Sequence, residues 1–360
     1  MTVDLDATQA YGYDLDPRLI ASEPVTPADT SRLLVVGMNG ELEHRKFFDF
    51  PSLLNPGDLL VLNETRVVRA RLFGRRQPGG GKVELLLLRP ADGSRFTPEA
   101  RLWLALTRPA RRLQPGTEIL LDATARARVT ACGDEGLREL EFDLAEPMDA
   151  FLERCGHVPL PPYIGVGNPT RADRYQTMFA RVSGSVAAPT ASLHFTDRTF
   201  SDLRARGVEI ASIVLDIGLG TFRPIAHERI ADHIMHEESF EIPATTADAV
   251  LRAQREGRRV IAAGTTVVRA LESAALADGG VRSGVGCTNL FIRPGYLFSV
   301  VDGLLTNFHL PASTLLVLVC TFAGYERTMS AYRESIAQSY RFYSFGDAMF
   351  VGRCPHTTNT

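Results

Sequence analysis

Several features are scarce in this chain, and each scarcity excludes something. Its 360 residues hold one Trp and five Cys, at 132, 155, 287, 320 and 354. None is spaced as C-x-x-C, and the odd number argues against a disulfide framework. The expectation is reduced, mostly structural thiols in a cytoplasmic protein. Long apolar runs are missing too: the longest, Leu315 to Ala323, is too short to span a bilayer. The opening M-T-V-D-L-D-A-T-Q-A is acidic and has no apolar core, unlike a secretory signal. A soluble protein without a membrane partner is expected.

Familiar nucleotide and nucleophile signatures are absent as well. There is no G-x-x-x-x-G-K-[ST] loop, which argues against an ATPase. No G-x-S-x-G occurs, so Gly184-Ser185 does not make a nucleophile elbow. Gly218-Leu219-Gly220 lacks the third glycine and the following acid of a dinucleotide fingerprint. His233 and His236 form H-x-x-H ahead of Glu237 and Glu238, but no Cys or third His stands nearby. No metal is expected; these residues read better as pocket or structural groups.

What is present falls into two grammars. From Val67 to Asp149 short alternating runs recur about every ten residues: Lys82–Leu88, Leu102–Thr107, Glu118–Leu121, Ala125–Thr130 and Arg138–Phe142. Separated by Gly, Pro and Asp turns, they predict a small closed β-barrel. On either side the pattern is α/β. Buried strands are expected at Ser31–Val36, Leu59–Leu62, Ile210–Ile217, Arg259–Ala263 and Asn289–Arg293. They alternate with helices near 199–206, 244–256, 265–277, 313–322 and 327–340, so a mixed, mainly parallel sheet covered on both faces follows. The domains are then 1–66 with 150–360 as a discontinuous α/β domain, and 67–149 as an inserted, Greek-key-like barrel.

Charge is unevenly spread. Between Arg66 and Arg112 there are twelve basic and three acidic residues, leaving 27 basic against 39 acidic elsewhere. Eleven of the twelve are Arg, which favours planar recognition of phosphate and bases over mere solubility. Arg66, Arg69, Arg71, Arg75, Arg76 and Lys82 are the candidate RNA contacts.

Four stretches share another chemistry: S-G-S-V-A-A-P-T-A-S-L-H-F-T (183–196), G-L-G-T-F-R-P (218–224), A-G-T-T-V-V-R-A-L-E (263–272) and T-N-F-H-L-P-A-S-T (306–314). Small residues let backbone amides approach a ligand, and hydroxyls supply short-range donors and acceptors. Their recurrence suggests one pocket built from several loops. Thr265-Thr266 open a helix just after a strand, where an anion is favoured. Arg269 and Glu272, three apart, are either a structural ion pair or a ligand clamp. His194 and His309 are either satisfied core residues or proton-transfer groups.

Many of these motifs, in this order, resemble those of the S-adenosylmethionine:tRNA ribosyltransferase-isomerases of queuosine biosynthesis. The resemblance spans nearly the whole chain: Tyr13-Asp14-Leu15, Ser31–Leu34, Gly57–Asn63 with Thr65-Arg66, Pro159–Ile164, Arg174–Thr177, Val186–Thr190 with Leu193–Thr196, Gly218–Phe222, Gly264–Thr266 with Arg269 and Leu271-Glu272, Pro294–Tyr296, Thr306–Pro311 with Ser313–Leu316, and Tyr340–Phe342 with Gly346–Met349. Asp216 stands where relatives usually carry His, Glu64 where they carry Asp, Ser192 for Gly and Glu237 commonly for Ser.

The resemblance implies a β-barrel inserted into an α/β domain. It also implies transfer of the ribosyl moiety of S-adenosylmethionine to 7-aminomethyl-7-deazaguanine at the tRNA wobble position. Adenine and methionine leave, and epoxyqueuosine-tRNA results. The partners are then S-adenosylmethionine, as ribosyl-donor substrate, and that tRNA, with the protein itself a monomer. His194, His309 and Asn307 become the catalytic candidates. Tyr175, Ser185, Thr190, Gly218, Gly220, Thr221, Thr265, Thr266, Arg269, Glu272, Ser313 and Asp347 become the substrate-binding candidates. Two other readings stay open: a divergent S-adenosylmethionine-using paralogue with a different acceptor, and a non-catalytic RNA-binding protein.

Overall fold

The computed structural model describes residues 3–165, 169–218 and 224–354. It divides into two compact units, one of Met1–Thr65, Pro162–Ala180 and Ala188–Thr360, the other of Arg66–Pro161 and Arg181–Ala187. Gly220 and Thr221 lie outside the described residues.

The first unit is built on a nine-stranded mixed sheet. Its strand order is Gly284–Thr288, Glu238–Ile242, Glu209–Leu215, Leu59–Asn63, Val260–Ala263, Gly303–Asn307, Ala348–Gly352, Arg32–Val36, Leu42–Lys46. Parallel pairing holds the centre, from Glu209–Leu215 through Gly303–Asn307. Toward the edges the pairs are antiparallel except Ala348–Gly352 with Arg32–Val36, which is parallel.

Leu59–Asn63 is buried at every position, the signature of a strand covered on both faces. Leu60 and Leu62 share a core cluster with Phe47 and Phe50 of the 3-10 segment Phe47–Leu53, Phe200 and Leu203 of the helix Asp197–Ala205, and Phe195 just before that helix. The helices Ala244–Arg255 and Thr265–Ser273 also pack on this strand and its neighbours. Thr196 caps the helix Asp197–Ala205, its hydroxyl accepting from Thr199 N–H at 3.3 Å.

Four strands of this sheet escape a pattern reading, the edge strand Leu42–Lys46 among them, and one expected strand moves. Gly303–Asn307 and Ala348–Gly352 are almost wholly buried, with Gly and Asn where strand formers would be looked for. A Cβ on Gly303 would sit 2.6 Å from Ile261 Cδ1 on the neighbouring strand Val260–Ala263 and 3.4 Å from the Phe350 ring on the other side, so glycine makes room for both side chains. Glu238–Ile242 likewise gave no signal among the charges of H-E-E-S-F. The strand expected at Asn289–Arg293 is instead Gly284–Thr288, whose Gly286 leaves room for the Phe240 ring, 2.7 Å from where a Cβ would be. The helix expected to reach Ala277 ends at Ser273.

The second unit is a closed six-stranded antiparallel barrel. Around it run Leu137–Leu144, Leu102–Arg108, Lys82–Pro90, Arg71–Gln77, Glu118–Leu120 and Ala125–Cys132. Three consecutive hairpin-linked strands are followed by Glu118–Leu120 returning beside the first, which is Greek-key order. Alternation fills the interior with Leu72, Val83, Leu85, Leu87, Trp103, Ala105, Val129 and Leu140. The helix Met148–Cys155, which follows the last barrel strand, buries Met148, Phe151 and Leu152. Among the described residues no helix is long and apolar enough to cross a membrane.

Candidate active site

Four strands of the first unit point the same way: Leu59–Asn63, Glu209–Leu215, Val260–Ala263 and Gly303–Asn307. At their carboxyl ends lies a cleft with room for about 30 Å³ of water-sized space and a mouth open to solvent. Ala188–Ala191 line it, as do Ile217, Gly264–Thr266, Thr306–His309, Leu315, Tyr343 and Ser344. Thus three of the four hydroxyl-rich stretches converge here, with Ile217 beside the start of the other. Among the described residues, none that lines the cleft carries a formal charge at neutral pH.

Gly264 turns the chain from strand to helix with φ 106° and ψ 148°. The nearest atoms to a Cβ placed there are 3.8 Å and 3.9 Å away, so space is not the constraint; the backbone conformation is. Gly264→Ala is therefore expected to cost about 1–3 kcal/mol, read from urea unfolding. A loss below 0.5 kcal/mol would contradict the strain argument. The turn presents the first amides of the helix Thr265–Ser273, which have no partner within the helix.

Asn307 lines the cleft and is 2 % exposed, and its Oδ1 has no hydrogen-bond partner among the described residues. Its Nδ2 is held at 3.2 Å from His194 Nε2 and 3.5 Å from the Asp347 carbonyl. With Asn307 as donor, His194 Nε2 accepts, so the proton of His194 sits on Nδ1, 2.8 Å from Ser31 Oγ. His194 also stacks on Phe47 at 5.0 Å. Both nitrogens are engaged and the ring is absent from the cleft lining. It backs Asn307 from behind.

His309 does line the cleft. Its Nε2 lies 2.9 Å from Thr306 Oγ1, its N–H donates to Tyr332 Oη at 2.9 Å, and its carbonyl accepts from Tyr13 Oη. Burial holds both imidazoles neutral, pushing His309 down to about 3 and His194 to about 4. A histidine with a folded pKa below the unfolded value near 6.5 makes the native state stable above pH 6.5. That stability drains away as pH falls toward 4. Urea unfolding at pH 7.5 and 5 is expected to show a decrease that His194→Gln diminishes; an equal decrease in both proteins would refute this origin.

Several expected site residues have other duties. Arg269 is 2 % exposed and paired with Glu238, and its Nε donates to the Leu290 carbonyl at 3.1 Å. The same Glu238 accepts from Gly218 N–H at 3.2 Å, tying the loop at Gly218 to the helix. Glu272 does not pair with Arg269; it accepts from the backbone amides of Ser299, Val300 and Val301 at 2.9, 3.1 and 3.0 Å. Neither member of the expected clamp is free for a ligand.

Asp347 receives the N–H groups of Arg32 and Arg341 at 2.9 and 2.8 Å. Ser313 caps the helix Thr314–Ala323 through Leu316 N–H at 3.2 Å. Tyr175 is buried edge-on against Phe345, and Ser185 belongs to the barrel unit, donating to the Ala187 carbonyl at 2.7 Å. His233 lies against His227 and Phe291, and no cluster of three or more metal-ligating side chains occurs among the described residues.

Tyr343 and Ser344 were not anticipated. Tyr343 has φ 76°, rare for a non-glycine residue, and borders the cleft. Tyr163 Oη donates to Ser344 Oγ. Nothing in Y-S-F marks a strained backbone, which exists only because the surrounding structure imposes it.

In the barrel, Arg66, Arg69, Arg75 and Lys82 are exposed and Arg76 is half-buried. Arg71 is 8 % exposed, set between Glu84 at 3.3 Å and the Leu160 carbonyl at 3.2 Å. It is an interior strut rather than a surface contact.

A family described as queuosine biosynthesis protein matches residues 8–351. The S-adenosylmethionine:tRNA ribosyltransferase-isomerase of Moorella thermoacetica is 49% identical, covering 95% of this chain and 99% of that one. Its counterpart from Gloeobacter violaceus is 51% identical, covering 96% and 95%. The crystal structure of the S-adenosylmethionine tRNA ribosyltransferase from Thermotoga maritima aligns with a TM-score of 0.54 at 36% identity, covering 95% of this chain and 99% of that one. Agreement over nearly the full length, in sequence and in fold, means that the chain belongs to the queuosine biosynthesis protein family, a family of enzymes.

Proposed function

We propose that this chain transfers and isomerises the ribosyl moiety of S-adenosylmethionine onto 7-aminomethyl-7-deazaguanine in tRNA, releasing adenine and methionine. The observation that carries the reading is the uncharged lining of the cleft. A sulfonium cation is disfavoured beside Lys or Arg, and among the described residues the lining consists of hydroxyls, one amide, one neutral imidazole and apolar side chains. The substrate's own positive charge acidifies the ribose 5′ carbon, so a weak neutral base suffices to remove that proton. His309 is the base in this reading.

Asn307 Oδ1, unpartnered and held by His194, orients the ribose or adenine. Thr190 and Ser344 supply further hydroxyls from the lining. The methionine carboxylate goes to the helix amides at Thr265 and Thr266, since Arg269 is committed to Glu238. Arg66, Arg69, Arg75, Arg76 and Lys82 hold the RNA backbone.

Incubation with S-adenosylmethionine and tRNA carrying the aminomethyl base tests this. Adenine release together with a mass gain in the tRNA is expected. Adenine release without that gain would support a different acceptor, and RNA binding without adenine release a non-catalytic protein.

A further inference from the structure

One large aromatic side chain of the barrel stands in solvent. Phe73 is 48 % exposed on the strand Arg71–Gln77. Strand alternation puts it on the outer face with Arg75 two residues on. Across the ladder Phe73 opposes Glu84 and Arg75 opposes Lys82, while Glu84 in turn opposes Arg108 on the next strand.

Glu84 is taken up by Arg71, at 3.3 Å. Neither Arg75 nor Lys82 forms an ion pair among the described residues; Arg75 Nη1 reaches only the Gly80 carbonyl, at 3.2 Å. Two cations directly opposite in an antiparallel ladder destabilise it. A polyanion on this face would relieve that repulsion.

The Phe73 ring is not loose. The His157 ring meets it at 5.3 Å with a 60° interplanar angle. His157 is itself pinned, exchanging both backbone hydrogen bonds with Arg71 at 3.1 and 2.8 Å. One face of an aromatic platform is thus held beside two uncompensated cations.

We propose that Phe73, braced by His157, is a stacking platform for an unpaired RNA base, with Arg75 and Lys82 on the phosphates beside it. This rests on the reading that the barrel binds tRNA and names the part of the RNA it takes. A duplex hides its base faces, so only an unstacked nucleotide offers a π-face to the ring. A protein partner would favour a broader apolar surface without facing like charges.

Wild type, Phe73→Ala, Phe73→Trp and an Arg75→Gln/Lys82→Gln double variant are titrated with a tRNA transcript and a fully paired RNA duplex at several salt concentrations. Phe73→Ala is expected to weaken tRNA binding about 5- to 100-fold, the range for loss of one base–aromatic stack. It leaves duplex affinity and the salt slope unchanged, and Phe73→Trp restores tRNA affinity. The double variant weakens both RNAs and lowers the salt slope by about 1.5. Fluorescence of the single Trp, Trp103, verifies that the Phe73→Ala barrel is folded.

Wild-type tRNA affinity in Phe73→Ala would overturn the proposal, as would equal losses on tRNA and duplex. A change in sedimentation without any change in RNA affinity would do the same and mark the face as a protein contact. If wild type bound tRNA and Phe73→Ala bound it equally, this inference alone would fall. If wild type bound no tRNA, the RNA reading would fall with it.

Discussion

His309→Gln is expected to slow adenine release by about 10²- to 10⁴-fold, the contribution of a positioned proton acceptor. The Michaelis constant for S-adenosylmethionine should change far less, because the cleft lining is otherwise intact. His194→Gln is expected to slow turnover less. It disturbs the amide that orients the substrate but removes no group from the cleft. Burial pushes His309 down to about 3, so its protonation cannot place an acidic limb near pH 6.5 in the free enzyme. A His309→Gln protein turning over near the wild-type rate would sink the assignment.

The second large effect concerns stability. Arg269 and Glu238 are each 2 % exposed through their side chains. Removing one partner leaves the other as an uncompensated buried charge, so Arg269→Met is expected to cost about 3–5 kcal/mol in urea unfolding. Arg269→Met combined with Glu238→Met should recover most of that loss, since a well-packed apolar pair replaces two desolvated ions. Adenine release should remain impaired in the double variant, because Gly218 loses the carboxylate that accepts its N–H. A double variant as unstable as the single one would show that packing, rather than charge, is at stake.

Much of the frame was legible beforehand. The ten-residue cadence from Lys82 to Phe142 announced the barrel because alternation and turn residues act locally. The strand at Leu59–Asn63 and the helix after Gly264 were equally plain, each set by its own residues. Arg71–Gln77 was harder, since R-L-F-G-R-R-Q carries three cations in seven positions and takes its strand form from pairing with two neighbours.

The site was legible as a set of segments but not as an assignment of duties. His194 and His309 sit in matching contexts, beside Phe and Leu among hydroxyls, yet one backs an amide and the other borders the cleft. Arg269 and Glu272 look like partners on one helical face. Their true partners, Glu238 and the amides of 299–301, come from strand and loop segments remote in the chain.

Local composition determined the two kinds of fold, the uncharged loops and the concentration of arginine in one segment, since each depends on near neighbours and on periodicity. Which hydroxyl, imidazole or carboxylate faces the cleft, and which is consumed in holding it open, was decided by strand order. Sheet pairing brings together residues more than a hundred positions apart, and hydrogen-bond capacity used in one contact is unavailable for another.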